Sequence, residues 1–325
     1  GCLAFLRPRE KSVSSQELNR LQHDAIFYDD DSTLAGAAVS FVREGIGRGE
    51  VVMVNTGRNP VTALLRAVFD GEDQVTFAEN PVYSTPAGAI DSYRRTMDRG
   101  LAAGATGFRA MGFIDFEASR LPWQEWLRYE AAVNRAFADL PFRTLCPYDT
   151  SAVSGEIADA IMRAHTGLID QGARRENDNY VEPEKLVVAD GLVTPPHPLQ
   201  ATTPRMVLEP SDDLTELRME IYAATMFTSL SRLQIDDFVK AVGEVVGNAH
   251  KHGCEPVVLK LWASDAAVVC TVTDRGPGII DPLLGYARPR HPSEGLGLWA
   301  TRQLCDVLDY ERSPDGFTVR IAAFA

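Results

Sequence analysis

Residues 193–204 read Val-Thr-Pro-Pro-His-Pro-Leu-Gln-Ala-Thr-Thr-Pro. Proline fixes φ and removes a backbone donor, so a run this rich in it cannot form a continuous helix or a central strand. The run divides a chain of 325 residues into two parts, each long enough to bury its own core. The expected organisation is a first domain over 18–190, a proline-rich linker over 191–205 and a second domain over 206–325.

The second part carries three short motifs in a fixed order. The first is Glu244-Val-Val-Gly-Asn248-Ala-His-Lys-His252-Gly253, the second Asp274-Arg-Gly276-Pro-Gly278, the third Gly295-Leu-Gly297-Leu298. Glu244 and Asn248 are four apart and share one face of a helix, while Val242, Val245, Val246 and Ala249 can dock that helix on a sheet. An amide oxygen is a hard ligand suited to Mg²⁺, and a carboxylate can take a proton from a nucleophile. An ordinary amphipathic helix with its polar face in water would look the same in isolation.

Asp274 ends the apolar run Val268–Thr273 and precedes a glycine-proline turn, which places its carboxylate at a strand end. Gly295 and Gly297 open the segment Leu298–Leu308, which has helical spacing; backbone N–H groups at a helix start suit phosphate. A D-x-G-x-G turn and a glycine-led helix are each common without any ligand. No G-x-x-x-x-G-K-[ST] run occurs in the chain, so the pattern is not a P-loop.

Together and in this order the motifs resemble the GHKL ATPase superfamily, the α+β Bergerat nucleotide fold of histidine kinases, gyrase and the anti-sigma factor serine kinases. The resemblance implies ATP and Mg²⁺ as cofactors, Glu244 as general base and Asn248 as metal ligand. It further implies Asp274 as the adenine reader, with His252, Gly276, Gly278, Gly295, Gly297, Leu298 and Thr318 around the nucleotide. The segment Ile279–Glu294 makes a compact lid, whose Arg288 or Arg290 is a candidate γ-phosphate contact or simply a solvated arginine.

Within that superfamily the wording Gly295-Leu-Gly-Leu-Trp-Ala-Thr-Arg-Gln-Leu-Cys-Asp306 is similar to the actinobacterial anti-sigma factor serine kinases. Such a protein binds a sigma factor and phosphorylates a serine on an anti-anti-sigma, STAS-type antagonist. A histidine kinase needs a phosphoacceptor on a helical hairpin before the ATP domain. The proline run occupies that space, so His197 reads as a linker residue. Two alternatives stay open: a nucleotide-gated binding module without kinase activity, and an atypical sensor histidine kinase. Pairing as a homodimer is common in the family, and nothing in the sequence decides it.

The first part alternates strands and helices. Strand runs at Glu50–Asn55, Gln74–Ala78, Gly107–Gly112 and Phe142–Tyr148 are separated by helical segments, and His23–Asp29 leads the series. This alternation predicts an α/β domain with a mostly parallel sheet. In such sheets ligands sit at the carboxyl ends of strands, which puts Asn55–Arg58, Met111–Asp115 and Cys146–Asp149 forward.

His23-Asp-Ala-Ile-Phe-Tyr, Gly49-Glu-Val-Val-Met-Val, Trp126-Leu-Arg-Tyr-Glu130 and Leu145-Cys-Pro-Tyr-Asp149 resemble the MEDS sensory domain, a degenerate RecA/KaiC-like fold in regulators that sense small organic compounds. The loop after Val54 lacks P-loop lysine, so the resemblance implies no ATP hydrolysis in this half and a small-molecule signal as its partner. His23, Tyr28, Trp123, Trp126, Cys146 and Tyr148 are pocket candidates, although Trp126 and Cys146 read rather as core. No spacing in this half supports a metal site.

The net charge of -13 argues against non-specific nucleic-acid binding and is compatible with a protein partner. No run is long and apolar enough for a membrane span or a signal peptide. The cysteines at 2, 146, 254, 270 and 305 form no C-x-x-C pair, as expected of a reducing cytoplasm.

Overall fold

The computed structural model describes residues 20–325 apart from 57–58, 80–84, 115, 117–118, 190–193, 212, 290 and 292–294. Its first half alternates β1 (Gln22–Tyr28), α1 (Asp31–Arg48), β2 (Val51–Thr56), α2 (Pro60–Val68), β3 (Val75–Glu79), α3 (Pro86–Ala102), β4 (Phe108–Met111), α4 (Trp123–Phe137), β5 (Phe142–Asp149) and α5 (Gly155–Ala164). A hairpin, β6 (Gly167–Asp170) and β7 (Ala173–Glu176), and α6 (Pro183–Ala189) complete it. The sheet order is β3-β2-β4-β5-β1-β6-β7, parallel throughout except for the β6–β7 hairpin at its edge.

Local chemistry accounts for the helix ends. Asp30 caps α1 by accepting from the Ser32 and Thr33 backbone N–H groups, and Asn59 and Thr85 cap α2 and α3 ahead of a proline at the first turn. Strands β4 and β5 are buried on both faces, as continuous apolar runs in a parallel sheet should be. Leu34, Ala38, Val42, Val61 and Leu65 of α1 and α2 cover one face. Helices α3, α4 and α6 cover the other.

The second half runs β8 (Met206–Leu208), α7 (Leu214–Thr225), α8 (Arg232–His252), β9 (Val258–Ala263), β10 (Ala267–Asp274), α9 (Leu296–Leu304), β11 (Val307–Ser313) and β12 (Gly316–Phe324). Its sheet, ordered β11-β12-β10-β9-β8, is antiparallel. Side chains alternate across it with period two. Leu259, Leu261, Val268, Cys270, Val319 and Ile321 face the helices α7, α8 and α9. Trp262, Val269, Val307 and Ala322 face the opposite way and join the core around α4.

Helix α4 is therefore buried all round, from Glu125 through Asn134, the pattern of a helix enclosed by protein. It carries polar groups inward, and each has a partner. Arg128 meets Asp309 of β11 at 3.1 Å and Thr194 at 2.8 Å. Burial works against its charge, yet Glu125, Tyr286 and Asp309 hold Arg128 above its ordinary value.

Among its described residues the proline run forms a single 3-10 turn, Pro198–Ala201. It is no free spacer. Arg320 Nη2 donates to the Thr194 carbonyl at 2.6 Å, Trp262 Nε1 donates to the Thr202 carbonyl at 3.0 Å, and the His197 ring stacks on Phe324. The segment is strapped to the antiparallel sheet because the prolines leave carbonyls with no local donor to satisfy them. Among the described residues no helix is long and apolar enough to cross a membrane.

Candidate functional site

Helix α8 is started by a capping box, Ser231 with Gln234, and buries Phe238, Val242, Val245, Val246 and Ala249 against the sheet. That orientation leaves Glu244 and Asn248, one turn apart, on the wall of a cavity of about 990 Å³. The size is at the upper end for a small-molecule site. Val272, Asp274, Phe317 and Val319 of β10 and β12 line it from the sheet, Ile279–Asp281 and Leu284 from the lid side, and Gly295–Leu298 from the start of α9.

Gly297 makes the close approach that defines the polar end. A Cβ there would lie 3.1 Å from Glu244 Oε2 and 3.5 Å from Asn248 Nδ2. Its absence leaves a cradle between the α9 N-terminus and the carboxylate-amide pair. Those donors are hard oxygens beside backbone N–H groups, which fits a Mg²⁺-bearing polyphosphate: Asn248 and Glu244 toward the cation, the first turn of α9 toward the anion.

Asp274 sits at the other end, 5% exposed. Its Oδ1 accepts from Gly276 N at 2.6 Å and Cys254 N at 3.3 Å. Both bonds fall on one oxygen, so the carboxylate is held in place and Oδ2 is left to accept from a further donor. Gly278 has φ +68, and a Cβ there would overlap the Phe317 ring.

The structure thus brings together Glu244, Asn248, His252, Asp274, Gly278, Gly295, Gly297 and Leu298 around one cavity. Gly276 stands just behind it, holding Asp274. Thr318 is a correction. It bonds Thr273 Oγ1 at 2.8 Å, while its neighbours Phe317 and Val319 line the cavity. A strand alternates faces at every residue, so Thr318 points away. Lys251 also lines the cavity and was not anticipated, although it lies three residues beyond Asn248 on the same helical face. Arg288 places its guanidinium 5.2 Å over the Trp299 ring, and Arg290 lies outside the described residues.

In the first half, three of the pocket candidates meet under the sheet rather than at its carboxyl edge. His23, Cys146 and Tyr148 surround Glu130 of α4, and His165, just after α5, closes the group. Spacing in the sequence gives this half no metal-ligand set, yet the fold brings His23, Glu130, Cys146 and His165 together from distant positions, and neither Glu130 nor His165 is among the pocket candidates that the sequence offers.

Burial, with His23 beside it, pushes His165 down to about 3. Burial and Glu130 push the Cys146 thiol well up. Against its own burial, His23, His165 and Tyr148 hold the Glu130 carboxyl below its ordinary value. Tyr28 is elsewhere, accepting from Asn59 Nδ2 at 2.9 Å, and Trp126 is core, its indole bonded to Ser119 at 2.7 Å. Of the strand-end loops put forward, 57–58 and 115 lie outside the described residues.

Comparison with known proteins follows the same division. A signal transduction histidine-protein kinase, AfsQ2 of Streptomyces coelicolor, is 31% identical over 97 residues, 25% of this chain and 18% of that protein. The chain spans less than a fifth of that relative's length. Solved structures of Oryza sativa TDC with PLP (TM-score 0.27, 9% identity, 90% of this chain, 61% of that one) and Rhodiola rosea 4-hydroxyphenylacetaldehyde synthase (0.26, 12%, 89%, 61%) are too distant to bear on the fold. Two family models match, one in each half: residues 22–166 match the MEthanogen/methylotroph, DcmR sensory domain, and residues 208–323 match the histidine kinase-like ATPase domain.

Proposed function

We propose that the chain is a signal-controlled protein kinase of the anti-sigma type, with a sensory domain over 18–190, a proline segment over 191–205 and an ATP-binding kinase domain over 206–325. The observation that carries the reading is the convergence of Glu244, Asn248 and the α9 N-terminus at Gly297. Bound Mg²⁺ would neutralise phosphate charge. Asn248 orients it, Asp274 holds the adenine amine, and the first N–H groups of α9 and Lys251 meet the phosphates. Glu244, exposed at the cavity wall, takes the proton from an incoming hydroxyl; positioning and electrostatics supply most of the remaining catalysis.

The target is a serine of a STAS-type antagonist, and the captured partner a sigma factor. Two observations support a protein-binding kinase without its own phosphoacceptor hairpin. The segment before β8 is a docked proline run, and α7 with its flanks exposes Met219, Met226, Phe227 and Leu233, an apolar face suited to a protein partner or a second copy. The first half, read as a degenerate RecA/KaiC-like sensor for a small organic compound, sets which partner is held.

The match to a histidine kinase favours a second reading, an atypical sensor histidine kinase. Incubation with labelled ATP and the STAS-domain proteins of the same genome separates them. Acid-stable phosphoserine on a STAS protein supports the first reading; acid-labile phosphate on the chain itself supports the second. Nucleotide-dependent partner exchange without any phosphate transfer would leave a gated binding module.

A further inference from the structure

Four elements of the first half each contribute one buried side chain to a single point between the parallel sheet and α4. They are His23 of β1, Glu130 of α4, Cys146 of β5 and His165 after α5, none more than 8% exposed. One ligand atom from each lies within 4.8 Å of every other.

Hydrogen bonds behind the group define which atoms face inward. His165 Nδ1 lies 2.7 Å from the Ile161 carbonyl oxygen, which only accepts, so Nδ1 carries the proton and Nε2 presents a lone pair. Asn134 donates its amide to the Ala164 carbonyl at 2.6 Å, which turns its Oδ1 toward His23 Nδ1 at 2.9 Å. His23 therefore donates from Nδ1, and its Nε2 also faces the group. Tyr148 donates to Glu130 Oε1 at 2.7 Å and leaves Oε2 for the centre.

Neither Glu130 Oε2 nor His165 Nε2 has a hydrogen-bond partner, although Oε2 lies 3.0 Å from His23 Nε2 and 3.7 Å from His165 Nε2. The Cys146 thiol can donate to His23 Nε2, but that leaves Glu130 Oε2 and His165 Nε2 as two acceptors without a donor, which is costly in a dry interior. A proton on His23 would relieve Glu130 but leave the His165 lone pair bare. A cation at the centre satisfies all of them.

The spacing also suits one. Tetrahedral zinc, with bonds of about 2.0–2.3 Å, sets its nitrogen and oxygen ligands about 3.3 Å apart and a sulfur about 3.6 Å from a nitrogen. Here the corresponding separations are 3.0 and 3.7 Å, with Cys146 Sγ 3.5 Å from His23 Nε2. We propose that His23, Glu130, Cys146 and His165 form a closed tetrahedral site for a zinc-class divalent transition-metal ion. The imidazole, thiolate and carboxylate mixture selects this class over Mg²⁺ or Ca²⁺. Asn134, the Ile161 carbonyl and Tyr148 are the supports that orient the ligands. The site is independent of how the ATP half is read.

The test uses the full chain, purified without a polyhistidine tag, stripped with chelator and reloaded with Zn²⁺ or Co²⁺. The expected result is about one bound metal per chain, and with cobalt a thiolate-to-metal charge-transfer band in the near ultraviolet. Cys146→Ser abolishes the band and Cys254→Ser, at an exposed thiol, leaves it. Loss of the band in Cys254→Ser, or less than about a tenth of an equivalent bound with no band in the wild type, overturns the proposal. If Cys146→Ser fails to fold, the wild-type and Cys254→Ser spectra still decide.

Discussion

Tyr286, in the segment between β10 and α9, donates its hydroxyl to Glu125 of α4 at 3.1 Å. Both residues are 1% exposed, and the Arg302 guanidinium covers the Tyr286 ring at 3.9 Å. Five residues further along the same helix, Glu130 faces His23. One rigid helix therefore touches the segment beside the nucleotide cavity and the buried cluster of the first half. Arg135 of α4 adds a second tie, to Asp281 on the cavity's lid side.

Tyr286→Phe should remove this tie while leaving Glu125 its bonds to Arg128 and Thr194. The expected loss is about 1 kcal/mol, read as a lower thermal midpoint. If α4 carries the signal, removing metal from the wild type will change the affinity for an ATP analogue, and Tyr286→Phe will blunt that change. An equal metal response in both proteins would show that the bond plays no part.

At Gly297 a methyl group would enter the space beside Glu244 and Asn248. Gly297→Ala should weaken ATP-analogue binding by about tenfold or more, equivalent to about 1.4 kcal/mol. Titration calorimetry measures the affinity, and an unchanged melting midpoint confirms that the fold is intact. Wild-type affinity in this variant would remove the cradle from the site.

Glu244 and Asn248 should separate by function. Glu244→Gln is expected to keep nucleotide binding and lose about 10²–10⁴ in phosphate transfer, the usual worth of a general base. Asn248→Ala should instead lose the Mg²⁺-dependent part of binding. Quench-flow transfer assays beside equilibrium binding distinguish the two, and equal losses in both quantities for both variants would contradict these roles.

Far from either site, Glu50 is 2% exposed and bridges Arg109 and Arg143. Glu50→Gln removes the buried carboxylate between two guanidinium groups and should cost about 3–5 kcal/mol. Denaturant titration followed by a first-half probe measures it. A loss under about 1 kcal/mol would mean that water or Glu44 takes over the charge.

The cavity at Glu244 and Asn248 was legible because its chemistry is local. Glu244 and Asn248 share a helical turn, and Asp274 and Gly276 share a strand end, so short spacing carries their geometry. Thr318 failed for the same reason in reverse: on a strand, an error of one residue changes the face. The segment Leu298–Leu308 has the spacing of one helix, yet the helix ends at Leu304 and β11 begins at Val307, since a short apolar run fits either period.

Strands β6, β7 and β9 were also missed, and the first two have an outer edge too polar and too short to show a strand pattern. The cluster at Glu130 was legible only in part: His23, Cys146 and Tyr148 stand out as pocket candidates, but nothing local joins them to Glu130 or His165. His23 and His165 are 142 residues apart by their numbers in the chain, and the parallel pairing of β1 with β6, Asp24 opposite Gly167, brings them within reach, with α4 packed against both. Glu130 also sits inside a helix that looked like ordinary aromatic core.

The apolar face formed by Trp262, Val269, Val307 and Ala322 packs into the same core as α4. A chain severed in the proline run would turn that face to water on one fragment and strip the cover from α4 on the other. Neither fragment is a cassette to be transplanted. Recombination that pairs the second half with a different first half must bring along a helix that fits the sheet, so such swaps are confined to partners that already share α4.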